Sequence, residues 1–191
     1  YTSSFSSKED FLPMWSIYGA GCRGVCLKFR LVELIDYLSG NYQFGFVSYE
    51  SDANESLLRD NFLEIYNWVA DKQEGPMEMN DKIEELSILC TCISPFVKSS
   101  DWAYEQEFRI VYHKLYGLEF DQDSVNRILS KKIHKTIVEP FVYYPIYPNA
   151  LKEIIIGPKS NYNVIEHILR NELKECLLNN VKISPSSIEI M

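Results

Sequence analysis

Lys98-Ser-Ser-Asp-Trp-Ala-Tyr-Glu-Gln-Glu-Phe-Arg-Ile-Val-Tyr112 alternates as a half-buried strand does. Trp102, Tyr104, Phe108, Ile110 and Tyr112 fall on one parity. Glu105, Glu107, Arg109 and Val111 fall on the other. Period two sends the two sets to opposite faces of a sheet, with about 7 Å between alternate residues. Two carboxylates and a guanidinium are thus expected side by side on one strand face.

Working outward, Tyr1 to Ser6 reads as a short strand. A small-residue bend follows at Ser16-Ile-Tyr-Gly-Ala-Gly21, and then a strand at Gly24-Val-Cys-Leu-Lys-Phe29. Helical spacing covers Arg30 to Leu38, and Gln43 to Tyr49 is strand-like. Two helices are expected between the strands, from about Asn54 to Asp71 and from about Asn80 to Ile93. Asp52 and Asn54 offer caps, and Pro95 stops the second helix. Its apolar stripe puts Cys90 and Ile93 against a core.

Beyond the central stretch, Asp123 to Ile133 is expected to be helical, and Thr136 to Pro148 extended. Lys152-Glu-Ile-Ile-Ile-Gly157 is a continuous apolar run, as in a strand buried on both faces. An amphipathic helix should run from Asn161 to Leu178, striped by Ile165, Ile168, Leu169, Leu173, Cys176 and Leu177. Val181 to Ser184 and Ser187 to Ile190 close with strand-like alternation. Strands and helices mix without a βαβ repeat. The predicted class is α+β, a mixed and mainly antiparallel sheet flanked by helices, in one domain over residues 1–191.

Composition narrows the functional classes. A hydrophobic fraction of 46% and a charged fraction of 24% are ordinary for a globular chain. The formal net charge of −8 argues against general attraction to nucleic acid or anionic lipid. No apolar run approaches the roughly 20 residues that span a bilayer. The five cysteines (Cys22, Cys26, Cys90, Cys92, Cys176) lack disulfide-scaffold density, so a reducing cytoplasm is the expected location. Neither they nor the three histidines show metal-ligand spacing, and no metal is expected.

Four features occur together: Ser4-Phe-Ser6 with Leu12-Pro-Met-Trp-Ser-Ile-Tyr-Gly19, Gly24 to Phe29, Lys98 to Arg109 with its Trp-x-Tyr-Glu-x-Glu-Phe-Arg core, and Glu153 to Gly157. In this order the chain resembles the bacterial family called domain of unknown function 2971. Members of that family usually carry a further N-terminal portion. The chain opens mid-strand at Tyr1, so the expectation is a piece that lacks this portion.

Glu105-Gln-Glu107 is also similar to the Glu-x-Glu of mono-ADP-ribosyltransferases, and Ser4-Phe-Ser6 to their Ser-x-Ser strand. That resemblance implies NAD as substrate, with Glu105 and Glu107 as the catalytic pair. Ser4, Ser6, Trp15, Tyr18 and Arg109 are the implied binding residues, Trp15 and Tyr18 as an aromatic wall. The chemistry needs such a pair. Cleaving the nicotinamide–ribose bond develops positive charge that a carboxylate stabilises, while a second carboxylate orients or deprotonates the acceptor. The Arg or His that binds the dinucleotide in those enzymes has no counterpart before Ser4. Glycosidase acids about 5–10 Å apart usually sit on separate elements, and two residues of one strand seldom bracket a bond.

Two other readings of the same residues stand beside this one. Glu105, Glu107, Arg109 and Lys98 pair as surface ions on a solvent-facing sheet, worth about 0–1 kcal/mol each. Or the chain is a non-catalytic module of a bacterial stress or phage-defence system. It would then take a protein partner through the Glu/Arg face and the aromatic Phe141 to Tyr147 segment.

Overall fold

The computed structural model describes residues 1–36, 42–49, 90–112 and 149–190, single helical positions at 59–60, 63, 67, 84 and 87–88, and the strands at 130–134 and 137–141. In chain order the elements are β1 (Thr2–Ser6), α1 (Leu12–Ile17), β2 (Val25–Phe29), α2 (Leu31–Ile35), β3 (Tyr42–Phe46) and β4 (Ser48–Tyr49). A 3-10 turn (Ser94–Phe96), β5 (Val97–Lys98), a second 3-10 turn (Ser100–Glu105) and β6 (Glu107–Tyr112) follow. The chain closes with β7 (Ser130–His134), β8 (Ile137–Phe141), β9 (Leu151–Ile156), α3 (Tyr162–Glu175) and β10 (Lys182–Pro185). The class is α+β with mostly antiparallel small sheets, as the sequence predicts.

These elements form two compact units, one of residues Thr2–Ser7 and Tyr42–His113, the other chiefly of Lys8–Asn41 and Lys114–Met191. In the first unit β6 is the centre of a three-stranded antiparallel sheet in the order β1-β6-β3. Phe108, Ile110 and Tyr112 point to one face of β6, and all three are buried. Phe44 and Phe46 of β3 pack their rings against Phe108, with centroids 6.4 and 5.3 Å away, and Tyr42 meets Tyr112 at 5.1 Å. Such cross-strand aromatic pairs fix the register of a sheet. Gly45 stands opposite Arg109. A Cβ there would lie 3.6 Å from the Phe96 ring, an ordinary contact distance, so the first 3-10 turn lies over that face.

In the second unit β9 is central, antiparallel to β2 and parallel to β10. Its continuous Ile154-Ile155-Ile156 run is buried throughout, which is why it does not alternate. Trp15, Cys22 and Ile155 form the core with Cys26 and Ile188 against them. The small-residue segment bends as expected. Ala20, Gly21 and Cys22 take successive positive φ values of 50°, 64° and 72°, and Gly19 and Cys22 both donate backbone N–H groups to the Trp15 carbonyl at 3.1 Å. Gly157 closes against this bend: a Cβ at that position would stand 2.6 Å from the Cys22 carbonyl oxygen.

Several expectations need correction. The central stretch is a strand only from Glu107. Ser100–Glu105 is a 3-10 turn whose N-cap is Ser99, and Gln106 is left-handed at φ 45° and ψ 58°. Trp102 and Tyr104 therefore do not share a strand face with Phe108. Residues 130–133, expected to end a helix, belong to β7, paired antiparallel with β8; the rest of that expected helix, from Asp123, lies outside the described residues.

Helix α3 begins at Asn161, whose side chain accepts the Val164 N–H at 3.3 Å. It stops short of Leu178 because Leu177 turns left-handed at φ 59°. Leu178 N–H then donates to the Leu173 carbonyl at 2.7 Å, and Leu177 N–H to the Lys174 carbonyl at 3.2 Å, a C-terminal wrap that satisfies the last carbonyls. Cys176 and Leu177 are consequently exposed. Cys90 is exposed as well, while Cys92 is half-buried. Ser187 to Ile190 forms no strand. Within the two expected helices before Pro95 every described position is helical or 3-10; their other residues, and residues 142–147 of the aromatic segment, lie outside the described residues.

Asp10 ties the second unit across the sequence. Its carboxylate accepts the Trp15 indole N–H at 2.8 Å, the Ser186 hydroxyl at 2.5 Å, and the Ser187 N–H and hydroxyl at 2.6 Å each. Burial pushes the carboxyl pKa up, but these donors more than offset it and hold it below the ordinary 3.8. Asp10→Ala should cost about 2–3 kcal/mol in urea unfolding at neutral pH, because it strands the buried indole N–H. A lowered carboxyl contributes stability above its unfolded pKa and loses it as pH falls through the folded one. The cost of the substitution should therefore shrink on acidification.

Candidate functional site

The site in the first unit is built by register. β1 pairs with β6 so that Ser6 lies opposite Glu107 and Ser4 opposite Arg109. Directly opposed residues share a face, so the two serines stand on the Glu107–Arg109 side. The Ser4 hydroxyl hydrogen-bonds the Glu107 carboxylate. Ser6 Oγ donates to the Glu105 carbonyl at 2.5 Å.

Glu105 reaches the same place by another route. It ends the 3-10 turn, and the left-handed Gln106 reverses the chain direction before β6. A non-glycine residue in that conformation costs roughly 1–2 kcal/mol. Ser7 stabilises the bend: its N–H donates to the Gln106 carbonyl at 2.9 Å and its hydroxyl to Gln106 Oε1 at 3.2 Å. Strand alternation thus predicts the right neighbours for a different geometric reason.

Both carboxylates are buried, Glu105 at 3% and Glu107 at 5% exposure. The expected solvent-facing surface pairs are instead an enclosed cluster. Lys98 Nζ donates to Glu105 Oε2 at 2.5 Å and to Glu107 Oε2 at 3.3 Å. Arg109 grips Glu107 in a two-pronged fork, Nε to Oε1 at 2.8 Å and Nη2 to Oε2 at 2.9 Å. Its remaining Nη1 donates to the Pro95 carbonyl. The Glu107 N–H donates to Tyr49 Oη at 2.8 Å. Two cations balance two anions, which buried charges require.

The electrostatics follow. Burial pushes the Glu107 carboxyl up, but hydrogen bonds from Arg109 and Ser4 and the charges of Arg109 and Lys98 outweigh it, so its pKa lies below the ordinary 4.5. Burial pushes the Lys98 ammonium down, and its bond to Glu105 with the Glu107 charge more than restores it. The hydrogen bond to Glu107 holds the Arg109 guanidinium above its usual value. Glu107 is a fixed anion, suited to stabilising positive charge rather than to shuttling a proton.

Of the residues singled out in the sequence, Glu105, Glu107, Arg109, Ser4 and Ser6 converge here. Trp15 and Tyr18 belong to the other unit. Trp15 is 3% exposed with its indole N–H on Asp10, and Tyr18 is 60% exposed. Tyr49 and the Pro95 carbonyl are contributions that the sequence did not flag. Tyr49 reads as an ordinary strand aromatic and Pro95 as a helix stop, and a backbone acceptor leaves no sequence signal. Among the described residues no three His, Cys, Asp or Glu side chains are grouped so as to hold a metal, and no helix is long and apolar enough to cross a membrane.

A family model described as Protein of unknown function (DUF2971) matches residues 14–110. The match spans half the chain, and the protein belongs to that family. It includes Lys98, Glu105, Glu107 and Arg109 and stops short of Ser4 and Ser6. No curated protein and no solved structure matches the chain.

Arg109→Met keeps volume but removes the fork. It should destabilise the protein by about 3 kcal/mol in urea unfolding at pH 7, since a buried carboxylate loses its principal partner. A carboxyl held low stabilises above its unfolded pKa and ceases to do so as pH falls through the folded value. The gap between wild type and variant should therefore narrow as pH falls below the ordinary carboxyl value of 4.5; a gap that does not change with pH would assign the loss to packing.

Proposed function

We propose that this DUF2971 protein is an NAD-using enzyme of ADP-ribosyltransferase-like chemistry, acting in the bacterial cytoplasm, with Glu107 at the reacting centre. The observation that supports it is the hydrogen bond from Ser4 to the Glu107 carboxylate, made across a register that sets a Ser-x-Ser strand beside the glutamate pair. In this reading the nicotinamide–ribose bond breaks and nicotinamide leaves with the electron pair. The ribose carbon becomes positively charged, and the Glu107 carboxylate, ionised at neutral pH, stabilises it. The acceptor nucleophile then bonds to that carbon and gives its proton to Glu105 or to water. Arg109 aims the carboxylate through its two-pronged contact, so its role is positioning.

One observation favours a second reading. Glu107 already accepts from Arg109 twice, from Lys98 and from Ser4, which fills the roughly four lone-pair sites of a carboxylate. A substrate hydroxyl must displace one of these donors, and Lys98 at 3.3 Å is the longest of those measured. If none yields, the cluster is a purely structural clamp. The protein is then a non-catalytic module of a stress or phage-defence system that binds a protein partner elsewhere.

Labelled-NAD turnover separates the two. Glu107→Gln should lower kcat about 10²–10³-fold, the usual effect of removing one electrostatic stabiliser of a transition state. Far-ultraviolet circular dichroism of the variant checks that the fold is kept. Equal turnover in folded wild type and variant removes Glu107 from the chemistry.

A further inference from the structure

The edge strand β2 of the second unit is left unfinished in two ways. The first lies in its backbone. Gly157 N–H donates to the Gly24 carbonyl at 2.9 Å, and in an antiparallel ladder alternate residues exchange bonds with the same neighbour. Cys26 and Lys28 therefore turn their N–H and C=O groups to Ile155 and Glu153 of β9. Val25 and Leu27 turn theirs away from β9, where no hydrogen-bond partner stands among the described residues.

The second lies in its side chains. Ile183, Ile154 and Leu27 form one row across β10, β9 and β2. The first two are 7% and 3% exposed, whereas Leu27 is 48% exposed. Ile156 and Val25 repeat the contrast in the next row, at 1% and 41%. The apolar rows lose their cover only where the sheet stops. The opposite edge is protected: β10 is a short Lys182–Pro185 strand with a lysine at one end and a proline at the other, devices that discourage edge pairing. β2 has neither at its two outward positions. Its irregular step falls beyond them, between Lys28 and Phe29. Lys28 lies on the other face, tied to Glu9 and, at 3.7 Å, to Glu153.

We propose that β2 is a two-fold interface with a second copy of this chain, paired antiparallel about Cys26. The register follows from the outward groups. Setting Val25 opposite Leu27 of the second copy, and Leu27 opposite its Val25, lets both pairs exchange N–H···O bonds. Opposed residues share a face, so the buried row runs on through Ile183, Ile154 and Leu27 into Val25 and Ile156 of the second copy. Lys28 falls opposite Gly24, so no like charges meet across the seam although the chain carries a net charge of −8. Two-fold symmetry supplies the complement of every outward group at once. Sliding the register toward Arg23 fails, because the Arg23 N–H is committed to the Gly19 carbonyl at 2.9 Å. Sliding it the other way sets Val25 against Phe29, past the irregular step.

Sedimentation equilibrium of the full chain over about 1–100 µM tests this, and wild type should pass from monomer to dimer in that range. Val25→Lys and Leu27→Lys each place a charge where pairing would bury it, so each should weaken dimerisation at least about tenfold. Ile88→Lys, at an exposed position of the other unit, should leave it unchanged. Circular dichroism checks that all three variants are folded. Cys26 reports the register. At the centre of the pairing the two Cα atoms would stand about 4.5 Å apart, inside the roughly 4.4–6.8 Å that a disulfide spans. Diamide, an azo oxidant, should take two electrons and two protons from the two Cys26 thiols and leave a disulfide between the copies. Peptide mass spectrometry should recover that bond in wild type and lose it in Cys26→Ser. A monomer at every concentration, a dimer undiminished in both β2 lysine variants, or a dimer that diamide fails to link through Cys26 would each overturn the proposal.

Discussion

Two carboxylates with almost no access to water have to be compensated, and the first unit is arranged around that constraint. Removing a carboxylate from water costs several kcal/mol even after relaxation, and it is recovered only when partners of good geometry are already in place. Glu105 and Glu107 obtain those partners from three separate segments. Lys98 comes from β5, Arg109 from β6 itself, and Ser4 from β1. Arg109 also reaches the Pro95 carbonyl, which binds the 3-10 turn before β5 to the same cluster. Each contact that neutralises charge therefore also fixes a strand or a turn. The aromatic pairs on the opposite face of β6 complete a sheet whose two sides do different work, one apolar and one ionic.

That arrangement explains what could and could not be read from the chain. Elements governed by local rules were legible: the buried isoleucine run of β9, the start of α3 at Asn161, the bend after Trp15 and the antiparallel bias of the sheets. The grouping of Glu105, Glu107 and Arg109 with Ser4 and Ser6 was legible too. The path that brings Glu105 there was not. Alternation from Lys98 to Tyr112 imitates a strand, yet the Ser99-x-Asp101 pattern is a turn cap, and the left-handed Gln106 follows no propensity rule. It is held by Ser7, 99 residues away. Trp15 was misleading for a similar reason. An aromatic beside small residues looks like a ligand wall, but its partner Asp10 is engaged by Ser186 and Ser187, which no local pattern connects. The early end of α3 likewise depends on a leucine in a conformation usually left to glycine.

The family match adds weight to the central cluster without naming a reaction. It embraces the four charged residues and omits the serine strand, so the ionic part of the site lies within the family's shared region. The Ser-x-Ser pairing, on which the transferase reading leans, lies before it. The same cluster can serve as catalytic apparatus or as a structural clamp. What separates them is whether Lys98 can give way, because its bond to Glu107 is the longest measured in the set.

The interleaving of the two units also has a consequence for synthesis on the ribosome. β1 leaves the exit tunnel well before β6, its sheet partner, so it must stay unpaired while about a hundred residues are added. The Asp10 carboxylate waits longer still, since Ser186 and Ser187 follow it by 176 and 177 residues. The sheet of the first unit can thus close on the growing chain while the second still lacks β9 and β10. Closing such long loops costs only slightly more than closing shorter ones, because the entropy grows as the logarithm of length. The vulnerability is one of time, with Trp15 and its neighbours unburied until the final strands arrive.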